Sequence, residues 1–164
     1  MRRIIFTILV LALACSARAQ DYKSLYQKYS DDERVSAIYI SPAMFKMIGK
    51  LPEVKIEGEG VDFAPMIKSM TGFYMLQTED SSLAEKISKD IKKVVGGHQF
   101  ETLMEIKDQG QKVNIFSLGD DDFLKSVLLT VFNGDGETVF IGIDGLMKRS
   151  DVEAAVSGAA RELF

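Results

Sequence analysis

The sequence is 164 residues long, the size of one domain, and 46% of it is apolar, too much for a disordered chain. It carries 20 basic and 24 acidic side chains for a formal net charge of −4, with no lysine- or arginine-dense stretch, which argues against nucleic acid and anionic lipid surfaces as partners. With one cysteine, Cys15, it has no means to form an internal disulfide or a Cys/His metal site, and any triad or zinc site would have to rest on the one histidine, His98.

The first residues read as a secretory signal. Arg2 and Arg3 give a positive start, Ile4 to Ala14 is a short apolar run, and Ala17-Arg18-Ala19 is a small-x-small exit before Gln20. The run is too short for a membrane helix, and no later segment is long and apolar enough to be one. Expected domains are therefore a signal peptide at 1–19 and a single domain at 20–164. Cleavage removes Arg2, Arg3 and Arg18 and makes the rest more acidic still. An alternative reading treats Leu11-Ala12-Leu13-Ala14-Cys15 as a lipobox, with a lipid anchor on Cys15, although Ala12 stands where a larger aliphatic residue is usual. Either way the chain is expected to be exported, periplasmic or associated with the outer membrane.

The mature chain opens with Tyr22, Leu25, Tyr26 and Tyr29 on one helical face. Val35 to Ile40 reads as a strand. Ser41-Pro42 then starts a helix whose apolar side is Met44, Phe45, Met47, Ile48 and Leu51. Pro52 to Pro65 reads as a long irregular loop with a short edge strand at most. Thr71 to Glu79 is a second strand. Ser82 and Glu85 form a capping box ahead of a helix with a Leu83, Ile87, Ile91, Val94 stripe, which Gly96-Gly97 stops.

Phe100 to Lys107 and Gln111 to Leu118 pair as a hairpin about Asp108-Gln109-Gly110, with Val113 and Ile115 inward. Phe123 to Phe132 is apolar enough to be a central strand with both faces partly covered. Asn133-Gly134-Asp135-Gly136 turns it into Glu137 to Ile143. A second capping box, Ser150 to Glu153, opens a last helix lined by Val152, Ala155, Val156, Ala159, Ala160 and Leu163. The order α-β-α-β-α-β-β-β-β-α predicts an α+β two-layer sandwich: a mostly antiparallel sheet of about six strands with helices on one face.

Chemistry is sparse along the chain. His98 reads as a loop residue at a helix end. Asp120-Asp121-Asp122 and the Asn133, Asp135, Glu137 set could hold a hard cation but read better as turns. The methionines, crowded between residues 44 and 75, suit core filling, an adaptable contact surface or, least of all, copper(I). No cofactor and no metal site is expected. Phosphate loops, nucleophile elbows and zinc helices are missing.

The segments Ala37-Ile38-Tyr39-Ile40-Ser41-Pro42-Ala43-Met44-Phe45-Lys46-Met47, Thr71-Gly72-Phe73-Tyr74-Met75-Leu76, Phe100 to Lys107, and Leu128 to Asp135 running into Phe140-Ile141-Gly142-Ile143-Asp144-Gly145 occur in an order that resembles the domain-of-unknown-function 4252 family. The resemblance spans Tyr22 to Phe164 and implies a small exported protein of Bacteroidetes-type Gram-negative bacteria, some of whose relatives look like lipoproteins. It implies no activity, cofactor or catalytic residue.

Three functions stay open. The first is a non-enzymatic envelope module that binds a protein or peptide through Met44, Phe45, Met47 and Phe63. The second is an acid-dependent hydrolase using Asp121, Asp135 and Asp144. The third is a small-ligand carrier with a pocket between the sheet and its helices.

Overall fold

The structure, a computed structural model, describes residues 22–48, 57–58, 61–62, 64–97 and 100–163. The signal segment with Cys15, positions 49–56 and 59–60, Phe63 and His98 lie outside the described residues. In chain order the elements are α1 (Tyr22–Tyr29), β1 (Ser36–Ile40), α2 (Pro42–Ile48), β2 (Glu57–Gly58), β3 (Val61–Asp62), α3 (Ala64–Ser69), β4 (Met70–Thr78), α4 (Ser81–Gly97), β5 (Glu101–Asp108), β6 (Gln111–Gly119), β7 (Phe123–Phe132), β8 (Thr138–Lys148) and α5 (Arg149–Leu163).

Six strands form one sheet in the order β1-β4-β8-β7-β6-β5, every neighbouring pair antiparallel. Strands β5 to β8 are a meander made by tight turns. Gln109 and Gly110, at φ 41° and 90°, close the first one, a two-residue turn whose left-handed backbone matches the strand twist. The second uses Asn133 to Glu137, with Gly136 at φ 103° and the Asn133 amide donating to the Glu137 carbonyl at 2.8 Å. The expected α+β class and antiparallel sheet are both present.

The helices, however, lie on both faces. Successive side chains of a strand point to opposite faces, and two core clusters use opposite parities. Leu76, Leu128 and Phe140 pack with Leu25 and Tyr29 of α1 and with Leu83, Ile87, Ile91 and Val94 of α4. On the other face, Val127, Ile115 and Met147 pack with Phe45 of α2 and Val152 of α5, and Met66 and Ile67 of α3 join them. The two-layer expectation is therefore corrected to three layers. The strong apolarity of β7 is the residue-level cause, since a strand buried on both faces needs apolar side chains on both.

Three local readings also change. Asp80, not Ser82, caps α4: its carboxylate accepts from the Leu83 amide at 2.8 Å and its carbonyl from the Ala84 amide at 2.8 Å. The last helix begins at Arg149, directly after a strand that runs on to Lys148, and the Arg149 guanidinium reaches the Asp120 carbonyl and the Glu101 carboxylate. The short helix α3 begins at the end of the expected Pro52–Pro65 loop and fills the stretch up to β4, to which the sequence pattern assigns no element. It joins β4 against Gly145, where any Cβ would lie 2.4 Å from the Ser69 carbonyl oxygen, so β8 must be side-chain-free at that point.

The connection from β4 to β5 positions everything on the α4 face. These strands are separated by β8, β7 and β6, four strand spacings or about 19 Å. The chain also leaves β4 at the end where Thr78 faces Thr138, and re-enters β5 at the end where Glu101 faces Ser117, away from the Gln109-Gly110 turn. A 17-residue helix, about 25 Å long, covers that diagonal. A helix on a diagonal leaves two triangular corners of the sheet uncovered.

Helix α1 fills one corner, beside Tyr26, Tyr39 and Tyr74, whose rings touch pairwise at 5.1 to 6.0 Å. There Lys23 pairs with Asp144 at 3.0 Å. The contact that locks α1 to α4 is Asp90. Its carboxylate, 5% exposed, accepts from Tyr29 Oη at 2.9 Å and Lys93 Nζ at 2.8 Å, and pairs with Lys28. Burial alone would push this carboxyl up, but the hydrogen bonds from Lys28, Lys93 and Tyr29 outweigh it and hold it far below the usual carboxylate range.

An unfolded aspartate titrates at about 3.9, so with a lower folded value the stabilisation is complete above that pH and is lost as pH falls below it. Asp90→Asn should cost about 1.5–3 kcal/mol at neutral pH and flatten the acid limb of stability. Urea melts of both proteins between pH 7 and pH 2 would show this. Equal stabilities at pH 7 would remove Asp90 from its anchoring role.

Candidate functional site

The second corner is open. Between α4 and the β5–β8 end of the sheet lies a cleft of ≈ 550 Å³. With 100° between successive residues, Leu83, Ile87, Ile91 and Val94 point α4 at the sheet. Asp90 falls on one side of that stripe, toward α1. Ala84, Ser88 and Val95 fall on the other, along the cleft. Phe116 of β6 and Phe132 of β7 supply the facing apolar wall, and Asn133 and Gly136 of the β7–β8 turn close the end.

The floor is polar. Asn114, Thr130 and Thr138 occupy inward positions of three neighbouring strands and are 4%, 0% and 3% exposed. Asn114 faces Thr130 in register, and its Nδ2 donates to Thr130 Oγ1 at 3.1 Å. A buried hydroxyl or amide costs free energy unless its hydrogen-bonding capacity is used. Elsewhere on this face it is used: Thr78 Oγ1 donates to the Arg34 carbonyl at 2.9 Å and accepts from the Asp80 amide. Among the described residues, the Asn114 Oδ1, the Thr130 hydroxyl proton and the whole Thr138 hydroxyl have no partner. Three strands thus aim unspent hydrogen bonds into an apolar cleft.

The rim carries charge from both walls: Glu85 and Lys92 from α4, Glu105 and Lys112 from β5 and β6. Glu85 is held below the ordinary glutamate range by its hydrogen bond from Lys89, and Glu105 by those from Lys107 and Lys112. A general acid or base works best with a pKa near the operating pH. Both carboxylates are displaced the other way, so the rim is suited to attraction rather than proton transfer.

The residues singled out from sequence are not in this cleft. Met44 and Met47 are 48% and 65% exposed on α2, on the opposite face of the sheet. Phe45, expected on the same contact surface, is 8% exposed and packs into the core, because the helical step turns it away from its two methionine neighbours. Phe63 and Cys15 lie outside the described residues.

Nor do the three acids of a hydrolase converge. Asp121 and Asp135 flank the ten residues of β7, about 33 Å apart along the strand. Asp144 is held in mid-sheet by Lys23 and by Ser126 Oγ at 3.0 Å. The acidic turns use their carboxylates internally. Asp120 accepts from the amides of Asp122 and Phe123, Asp135 from that of Glu137, and Glu137 from the Asn133 and Gln77 side chains.

The cleft floor is hidden in the sequence because a sheet covered on one face, with Val113 and Ile115 inward, puts Asn114 on the solvent side. With helices on both sides, Asn114 between them is buried too. The available signal was the polar residues at inward positions of otherwise apolar strands: Thr130 within Leu128 to Phe132, and Thr138 before Val139.

The family model described as Domain of unknown function (DUF4252) matches residues 26–155, a span that contains the whole six-stranded sheet and every residue lining the cleft. No curated protein and no solved structure gives a significant match.

The two floor threonines should behave oppositely when their hydroxyls are removed. Thr130→Val strands the Asn114 amide and should destabilise by about 1–3 kcal/mol. Thr138→Val removes a group with no described partner and should be neutral or stabilising. Thermal denaturation of the two variants decides this; a loss for Thr138→Val as large as for Thr130→Val would show that its hydroxyl is already satisfied.

Proposed function

We propose, for a chain that belongs to the family described as Domain of unknown function (DUF4252), that it is a non-enzymatic binding module whose ligand occupies the cleft beside α4. The observation that carries this is the floor: Asn114, Thr130 and Thr138 are buried and point unspent hydrogen-bonding groups at an apolar space. Ligand sites are concave, mainly apolar and carry a few convergent polar groups that orient what binds. Binding fits the rim better than catalysis does, because its carboxylates are held as anions by lysines. The cleft is the site that this proposal assigns to the small-ligand carrier reading of the sequence. Export through the segment 1–19, with or without a lipid on Cys15, belongs to the same proposal and makes this an envelope or periplasmic binder.

A second reading places a protein or peptide partner on α2. Met44 and Met47 are large, adaptable and exposed there, and Ile38, on the same strand face as Ile40, which packs on the core cluster of that side, is 46% exposed. The two readings use opposite faces of the sheet and separate cleanly.

N-phenyl-1-naphthylamine, a neutral apolar fluorophore, should bind the wild-type domain. Ser88→Trp, which fills the cleft from a half-buried position on α4, should weaken it by about tenfold or more. The pair Met44→Lys with Met47→Lys should leave the probe unaffected. Probe binding that survives Ser88→Trp overturns the cleft. Under the second reading, only the methionine pair abolishes a cross-link to a partner in native envelopes.

A further inference from the structure

The cleft's two polar zones are different in kind, and they constrain what can fill it. Its floor is neutral and two-sided: Asn114 Oδ1 accepts, and the Thr130 and Thr138 hydroxyls donate. Its rim is ionic. Glu85 is neutralised by Lys89 at 2.7 Å, and Glu105 by Lys107 at 2.8 Å and Lys112 at 3.3 Å. Those two carboxylates therefore face Lys89, Lys107 and Lys112, and Lys92 stands on the α4 rim with no ion-pair partner among the described residues. The four charged side chains that line the cleft, Glu85, Lys92, Glu105 and Lys112, balance in number, and because the two glutamates are paired with Lys89, Lys107 and Lys112, Lys92 is the charge at the mouth that no described carboxylate meets.

We infer that the cleft takes a small, flat apolar acid: a carboxylate met at the mouth by Lys92 and Lys112, an apolar body between the phenylalanine wall and α4, and a hydroxyl or carbonyl at the far end held by Asn114, Thr130 and Thr138. This rests on the cleft being the binding site. A plain alkyl tail is a poor fit, because its end would bury the floor's polar groups without partners, and such unpaired groups penalise an apolar ligand strongly. A neutral molecule leaves the Lys92 charge unused. The span is short: Lys112 and Asn114 lie two residues apart on the same face of β6, about 7 Å along the strand. That distance favours a fused ring with a polar group at each end over a long chain.

Three probes that share one ring system test this: 6-hydroxy-2-naphthoate, 2-naphthoate without the hydroxyl, and 2-naphthol without the carboxylate. Calorimetric titration of the wild-type domain should give the hydroxy acid an affinity about tenfold above each of the others. In Lys92→Gln with Lys112→Gln the hydroxy acid should fall to the level of 2-naphthol. In Asn114→Leu it should fall to that of 2-naphthoate. Added salt should weaken the two acids and not the naphthol. Equal binding of all three, unchanged in the lysine variant, would overturn the ligand class while leaving the cleft as a binding site. Failure of all three probes, together with failure of the neutral fluorophore, would overturn both.

Discussion

The structure depends on one connection. The chain must pass from β4, near one edge of the sheet, to β5 at the other edge, and from one end of the strands to the opposite end. Helix α4 makes that passage on a diagonal, and a diagonal helix divides a sheet face into two corners. Helix α1 occupies one of them, and the buried carboxylate of Asp90 clamps α1 and α4 together there. The anchored flank frees the other flank to stand off the sheet without drifting. The cleft is what remains when a single helix has to cross a sheet it is too narrow to cover.

That arrangement places stability and binding in separate parts of the molecule. The core on the α4 face is apolar where α4 touches the sheet, at Leu76, Leu128 and Phe140. It turns polar one step along the same strands, at Thr130 and Thr138, where α4 has moved away. Buried polar groups without protein partners cost stability, and retaining them is typical of sites where binding needs them. The second helix layer, α2, α3 and α5 on the other face, supplies the apolar burial that such a floor gives up.

Much of this was legible in the residues. The alternation in β5 to β8, the Asn-Gly-Asp-Gly turn and the stripe on α4 specify the meander and its helix from local chemistry alone. What was not legible is tertiary. Whether one or both faces are covered depends on where α2 and α5 fold back, and no local period records that. The same ambiguity hid Asn114, which reads as a solvent-side residue in a one-sided sheet and as a buried one in a two-sided sheet. Phe45 shows the converse: its neighbours Met44 and Met47 made it resemble a surface patch, and packing turned it inward. Asp80 displaced Ser82 as the cap because the strand ends at Thr78, two residues before it, leaving the aspartate at the helix entrance.

The most direct measurement is amide chemical-shift mapping of the labelled domain during titration with N-phenyl-1-naphthylamine. The account expects the shifts to concentrate on Asn114, Thr130 and Thr138 and along the Ala84, Ser88 and Val95 side of α4, with the α1 corner around Tyr26 and Asp144 silent. Shifts centred on that tyrosine corner or on α2, with the floor of the cleft unmoved, would contradict it.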